Sequence, residues 1–195
     1  NIKKIKTTKQ GGAADIQQVP KSGGRWDKFT KALTADSNLT LSELSEGDMS
    51  ELAAWLRTSP ADLRRLGIYN CVVGDAGAAA LADALQVNTT LITLHLYYNH
   101  IGDAGAAALA GALKFNKTLS TFYFALNFIG DAGGAALADA LQVNTALTKL
   151  HLHGNGIEDA GMAAIANSLK GNTTLTSLFI DGNKIETEGA AALSD

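Results

Sequence analysis

The chain has 195 residues, of which 46% are hydrophobic and 6% aromatic, and its formal net charge is −3. This length suffices for one substantial core, and the mild acidity argues against nucleic-acid binding through a basic surface. A single cysteine excludes an intrachain disulfide framework. The sequence has no run of about 18 apolar residues, so no membrane-spanning helix is predicted.

The N-terminal segment, residues 1–24, combines five lysines with two Gly-Gly pairs. Glycine-rich, charged stretches lack the apolar surface needed to fold, so this segment is predicted to be a flexible basic tail or linker. Contact with an acidic partner or anionic lipid is a second interpretation of the same lysines.

Residues 25–62 are predicted to form an N-terminal cap and a degenerate repeat. The spacing of Trp26, Phe29 and Leu33 favours a short helix over the open end of the core, and a second helix is expected near Asp48–Arg57. A cap is expected because an end repeat would otherwise expose its apolar interior.

Residues 63–195 form a series of repeats with one constant period, and the last repeat is incomplete. The period of twenty-eight positions is the interval between successive members of the series Leu63, Leu91, Leu119, Leu147 and Leu175. Each unit follows the pattern L-x-x-L-x-L-x-x-[N/C]-x-L. Residues two apart share one face of a strand, so the leucines are predicted to line the core side of a parallel sheet.

The polar column of this pattern holds asparagine in most units and cysteine in the first. The asparagines, such as Asn99, are expected to bind turn backbone in adjacent units, because a buried amide needs hydrogen-bond partners. Cys71 in the same column is predicted to be small, buried and inert.

A helix is predicted to follow each strand, as in residues 103–113. Asp103 and its counterparts Asp75, Asp131, Asp159 and Thr187 are predicted to cap the start of their own helix. The asparagines after the helices, Asn88, Asn116, Asn144 and Asn172, are predicted to adopt a left-handed turn conformation.

Stacking of these units predicts an α/β, right-handed solenoid, curved into a leucine-rich-repeat horseshoe. Helices pack about 8–10 Å apart and strands about 4.8 Å apart, so the parallel strands must line the concave face and the helices the convex face.

The segment LYYNHIGDAGAAALAGALKFNKTL, residues 96–119, resembles ribonuclease-inhibitor-like leucine-rich repeats, the type also found in NOD-like receptors. The resemblance covers residues 63–195 and, more loosely, 34–62. It implies a cytoplasmic, non-enzymatic scaffold that binds a protein on its concave face, with no cofactor. The ligand-sensing region of an innate-immune-like sensor or signalling regulator is the alternative.

The outward-facing strand and turn columns vary between repeats and hold every histidine and tyrosine of the chain. One of these columns consists of Tyr69, Tyr97, Ala125, His153 and Asp181. Rigid aromatic side chains are typical of binding hot spots, whereas sheet stabilisation by stacking is the alternative explanation. The predicted partner-binding residues are His95, Tyr97, Tyr98, His100, Tyr123, Leu126, Phe128, His151, His153, Phe179 and Asp181.

Three further hypotheses arise from individual motifs. His151, His153 and Asp181 on neighbouring strands are a candidate metal site on the concave face.

No P-loop, nucleophile elbow or H-E-x-x-H motif is present, so no catalytic residue is predicted. Four N-x-[ST] sequons occur, at Asn38, Asn88, Asn116 and Asn172, and they are interpreted as incidental rather than as glycosylation sites, because the last three belong to the repeating post-helix turn.

Overall fold

The computed structural model describes residues 4–7, 15–18, 37–42, 44 and 46–192. The elements in chain order are strands β1 (Lys4–Thr7), β2 (Asp15–Gln18) and β3 (Asn38–Leu41), helix α1 (Glu46–Leu56), β4 (Arg65–Ile68), α2 (Gly74–Leu85), β5 (Thr93–His95), α3 (Asp103–Leu113), β6 (Thr121–Tyr123), α4 (Asp131–Leu141), β7 (Lys149–His151), α5 (Asp159–Leu169), β8 (Ser177–Phe179) and α6 (Thr187–Ala191).

One sheet runs through the described chain in the order β2-β1-β3-β4-β5-β6-β7-β8. Strands β3 to β8 are parallel and in register, so that Leu66 lies beside Leu94, and Leu94 beside Phe122. Each parallel strand is followed by a helix, which confirms the predicted α/β solenoid with sheet and helices on opposite sides of the core.

The core lies between the sheet and the helices. In each central repeat the strand contributes inward leucines or phenylalanines, and the helix contributes a face of leucine and alanine such as Leu109 and Leu113. Small alanines permit close approach of neighbouring helices. Cys71 is buried, as predicted, and its sulfur accepts a hydrogen bond from the Leu44 backbone nitrogen at 3.4 Å.

Strand-end asparagines join successive repeats, as predicted. Asn127 Oδ1 accepts hydrogen bonds from the backbone nitrogens of Asn99 and Ile101, each at 3.1 Å. Its Nδ2 donates to the Leu96 carbonyl oxygen at 2.8 Å. Asn155 repeats this arrangement one unit later. Among the described residues, no buried side-chain nitrogen or oxygen lacks a hydrogen-bond partner.

The aspartates that begin the helices do not cap their own helix, contrary to prediction. Asp103 Oδ1 accepts from the backbone nitrogens of Gly130 and Gly133 in the next repeat, at 2.7 and 2.9 Å. Asp75 serves α3 in the same way. The carboxylate oxygen is thus bonded to free amides at the start of the adjoining helix, so the cap operates between repeats.

The post-helix asparagines were also predicted wrongly, because none of them has a positive φ. They are instead bridges: Asn116 Nδ2 donates to the Leu85 carbonyl at 2.7 Å, and its Oδ1 accepts from the Leu119 nitrogen at 2.8 Å. Asn88 and Asn116 are buried with their amides engaged, so the folded chain does not offer these two sequons for glycosylation.

Two predictions concern the N-terminal region. Within the expected tail, residues 1–24, the structure describes β1 and β2, which pair antiparallel, and β1 also pairs antiparallel with β3. The expected cap helix around Trp26, Phe29 and Leu33 lies outside the described residues. The helix expected near Asp48–Arg57 is α1. Among described residues, no helix is both long and apolar enough to cross a bilayer.

Candidate functional site

A row of stacked rings crosses the outer face of the sheet. Because β5 to β8 are parallel and in register, the outward residue between the two strand leucines occupies the same place on each strand. Ring centroids are 4.0 Å apart for His95 and Tyr123, 4.1 Å for Tyr123 and His151, and 4.1 Å for His151 and Phe179. We call these four residues the ring row. Each ring is face to face with the next, so the row offers mainly ring edges and polar tips.

A second row, two residues further along each strand, consists of Tyr69, Tyr97, Ala125 and His153. Tyr69 and Tyr97 are stacked with centroids 6.2 Å apart. Ala125 was predicted to face outward but is fully buried. Since Ala125 is small, Tyr97 and His153 meet across it, with centroids 5.7 Å apart. The two rows also contact each other, for example Tyr97 with Tyr123 at 6.0 Å.

The histidines of the ring row are held in the neutral form. Burial lowers the pKa of His95 to about 4, and electrostatic repulsion of a second positive charge by Arg65 and by protonated His151 acts in the same direction. Burial also lowers the pKa of His151, with His153 and Lys149 contributing. At neutral pH each imidazole therefore presents one donor and one acceptor nitrogen.

The tyrosines of the second row stay protonated across the physiological range. Burial raises the pKa of Tyr69 to about 12, and neighbouring tyrosines add to this effect. The pKa of Tyr97 is raised by the same causes, burial first and the neighbouring Tyr123 second. The site thus combines neutral imidazoles with phenol hydroxyl groups, a set suited to hydrogen bonding and apolar contact with a partner.

Five predicted site residues lie elsewhere, in the turns that follow the strands. We call the five turn segments 69–74, 97–102, 125–130, 153–158 and 181–186 the rim. Tyr98, His100 and Phe128 are exposed there, Leu126 is partly buried, and the rings of His100 and Phe128 are stacked at 5.4 Å. Asp181, in the last segment, is exposed. The predicted residues therefore lie in two regions, the ring row and the rim, and the second row forms the first residues of the rim segments.

The metal hypothesis is not supported by the geometry. Among the described residues, no group of three or more His, Cys, Asp or Glu side chains is arranged to hold a metal ion. His151 is stacked between Tyr123 and Phe179, and its ring meets that of His153 edge-on at 6.1 Å. Stacking determines the orientation of this imidazole, so His151, His153 and Asp181 are not brought together as ligands of one ion.

The predicted partner-binding residues omitted some members of the outward columns that belong to these surfaces. Tyr69 joins the second row, and its position one period before Tyr97 was the available signal. Val72 is exposed in the first rim segment, one period before His100. Another exposed apolar column with the same period lies in the connections between each helix and the next strand, and it consists of Val87, Phe115 and Val143.

Comparison with known proteins gives one family match. The family model described as "Leucine Rich repeat" matches residues 87–110, 115–138, 143–166 and 171–194. These stretches include strands β5 to β8, the first eight residues of each of α3, α4 and α5, and the whole of α6. No sequence among curated proteins matches.

The solved structures that are similar to this chain include two from leiomodin and tropomodulin. Leiomodin-1 actin-binding site 2 aligns with a TM-score of 0.64 and 26% identity, covering 77% of this chain and 89% of that chain. The tropomodulin C-terminal domain of Caenorhabditis elegans aligns with a TM-score of 0.63 and 18% identity, covering 75% and 89%. The second likeness concerns the fold alone, whereas the first also extends to the sequence.

Proposed function

We propose that this chain, built from leucine-rich repeats, is a protein-interaction scaffold that binds a protein partner on the outer face of its sheet. The contact surface consists of the ring row, the second row and the adjoining rim. Solenoids offer extended surfaces of this kind because each repeat adds one strand to a continuous face.

The observation that carries this proposal is the ring row. Four successive aromatic or imidazole rings have centroids 4.0–4.1 Å apart on neighbouring strands. Such a row loses little side-chain entropy when a partner covers it, because its rotamers are already fixed. Large, rigid rings with polar tips are the residue type that contributes most at protein interfaces.

A pair of matched variants tests the proposal. The face variant carries His95→Ala, Tyr97→Ala, Tyr123→Ala, His151→Ala and His153→Ala. The control carries Ala79→Gln, Ala107→Gln and Ala135→Gln at exposed positions of α2, α3 and α4. With equal folding by circular dichroism, a partner should be captured from source-organism lysate by the original chain and the control, but not by the face variant. Equal capture by all three would refute the proposal.

Actin is a second candidate partner. The likeness to leiomodin-1 actin-binding site 2, at 26% identity over 89% of that chain, supports it. Co-sedimentation with purified filamentous actin, and native gel shifts with monomeric actin, would test it directly. Binding that the face variant loses would support actin as the partner. Absence of binding in both assays would exclude actin and leave the more general proposal standing.

The finer assignments belong to the same proposal. We propose a ribonuclease-inhibitor-like repeat in a cytoplasmic, non-enzymatic protein that binds neither nucleic acid nor a cofactor. The role of a ligand-sensing region in a signalling regulator is compatible with the same surface. Imaging of the tagged full-length gene product would test the location, and exclusion from the cytoplasm would contradict it.

A further inference from the structure

The rim differs from the ring row in the exposure of its apolar side chains. In the ring row, neighbouring rings cover each other's faces, and only the end residue Phe179, at 44%, is an exposed large apolar side chain. In the rim, Val72 is 70%, Tyr98 55% and Phe128 67% exposed. Contiguous exposed apolar side chains on a soluble protein mark interaction sites. The rim therefore offers a partner exposed apolar side chains beside the ring row.

Backbone conformation adds a second argument. The second residue of every rim segment has a positive φ: +51° at Asn70, +53° at Tyr98, +55° at Leu126, +67° at Gly154 and +65° at Gly182. Glycine adopts this conformation without strain, and Asn tolerates it, whereas Tyr and Leu do not favour it. Two bulky side chains are thus kept in the central repeats at positions where the next two repeats have glycine.

Charge divides the rim into two parts. Segments 69–74, 97–102 and 125–130 contain no Asp, Glu, Lys or Arg. Segments 153–158 and 181–186 contain Glu158, Asp181 and Glu186 against one cation, Lys184, whose Nζ lies 3.7 Å from Glu158 Oε1. The rim is therefore apolar over three repeats and net acidic over the following two.

We infer that the rim binds an amphipathic protein segment with apolar or aromatic residues at one end and basic residues at the other. The apolar end packs on Val72, Tyr98 and Phe128, and the basic end faces Asp181 and Glu186. Charge complementarity fixes the direction of the segment, since the reverse placement would bring cations to the apolar repeats. This inference rests on the proposed protein-binding function and adds to it the chemistry of the partner.

A random-peptide phage library selected against the whole chain tests the inference. We expect enriched peptides to combine two or more aromatic or aliphatic residues with a basic cluster on one side. A fluorescently labelled copy of the most enriched peptide then serves as the probe for anisotropy titrations. No enrichment, or enrichment of peptides lacking basic residues, would overturn the inference.

Two variants then locate the binding. Tyr98→Asn with Phe128→Ser should weaken binding about 30-fold, as expected for two hot-spot side chains. Asp181→Asn with Glu186→Gln should weaken it about threefold and reduce its salt dependence. Both pairs are exposed, and Asn already occupies the equivalent position at Asn70, so the fold is retained.

The face variant distinguishes the inference from the broader proposal. It should weaken peptide binding less than Tyr98→Asn with Phe128→Ser does, because it changes only Tyr97 and His153 within the rim segments. The control with Ala79→Gln, Ala107→Gln and Ala135→Gln lies on the helices and should leave peptide affinity within about threefold. If the peptide affinity is instead abolished by the face variant and unchanged by the rim variants, the rim inference fails while the proposed function stands. If neither set changes peptide binding, both fail for that ligand.

Discussion

The Oδ1 atom of Asp103 lies 2.9 Å from the backbone nitrogen of Gly133, which belongs to the next repeat. The same pairing joins Asp75 to Gly105 and Asp131 to Gly161. The D-x-G motif at the start of α3, α4 and α5 therefore has two roles: its aspartate caps the following helix, and its glycine receives the preceding aspartate. A side chain at the glycine would block that approach.

We predict that Gly133→Ala is destabilising. An added Cβ would lie 2.7 Å from Asp103 Oδ1 and 2.6 Å from Ile129 Cγ2. Such overpacking costs about 1–3 kcal/mol. The matched control is Gly111→Ala in α3, where a Cβ meets nothing within 4 Å and helix propensity favours alanine by about 0.5–1 kcal/mol. In urea unfolding, the midpoint concentration should decrease for Gly133→Ala and increase for Gly111→Ala. Equal shifts of the midpoint would contradict the packing argument.

Asp103→Ala should lower the free energy of unfolding by about 1–2 kcal/mol, the usual cost of losing a helix N-terminal cap. The unusual feature is that the weakened helix should be α4 and not α3, which contains the aspartate. Hydrogen exchange would reveal this as faster exchange at the Gly130 and Gly133 amides. The exposed Asp139→Ala serves as control and should change stability by less than about 0.5 kcal/mol. Faster exchange confined to the start of α3 would show that the cap acts within one repeat.

Asn127→Ala should lower the free energy of unfolding more than Gly133→Ala or Asp103→Ala does. It removes an acceptor for two buried backbone nitrogens and a donor to the Leu96 carbonyl, and each unsatisfied group costs about 1–3 kcal/mol. Thermal unfolding should therefore show a loss of at least about 3 kcal/mol. Asn167→Ala, at an exposed position in α5, should be nearly neutral and provides the comparison. A similar small effect for both would mean that the Asn column is dispensable.

Stability should decrease on acidification because of His95. Its pKa is about 4 in the folded chain and near 6.5 when unfolded, so the unfolded state binds more protons between these values. The contribution is fully present above pH 6.5 and is lost as pH falls towards 4, and His151 acts in the same direction. His95→Phe, which copies Phe179 of the same row, should flatten the dependence of the melting temperature on pH between about 7.5 and 4.5. An unchanged slope would assign the acid sensitivity to other groups.

Relief of backbone strain at Tyr98 should stabilise the chain. Tyr98→Gly exchanges a bulky residue at φ +53° for the residue found at the equivalent Gly154 and Gly182. The change removes left-handed backbone strain of about 1–2 kcal/mol. It also costs about 0.5–1 kcal/mol, because glycine has more conformational freedom in the unfolded chain. Guanidinium unfolding should therefore show a gain of roughly 0.5–1 kcal/mol. A marked loss would mean that the Tyr98 side chain contributes to folding.

The constant repeat period determined most of the fold. Spacing of leucines placed the strands, the buried column and the parallel register, and the cysteine in the Asn column was predicted to be buried because it occupies a core position. The aromatic columns were likewise readable, since positions one period apart must be neighbours in a stacked solenoid. Ala125 was predicted to face outward because its column does so in other repeats, and only packing shows that Tyr97 and His153 close over it.

What the sequence could not determine was the partner of each repeating polar residue. In a periodic chain, a contact within one repeat and a contact with the equivalent position in the next repeat have the same sequence signature. Asp103 was therefore assigned to its own helix and Asn116 to a local turn, whereas both bridge adjacent repeats. The distance between neighbouring units decides between these alternatives, and that distance arises only when the repeats stack. The division of the aromatic residues into a self-stacked row and an exposed rim has the same origin.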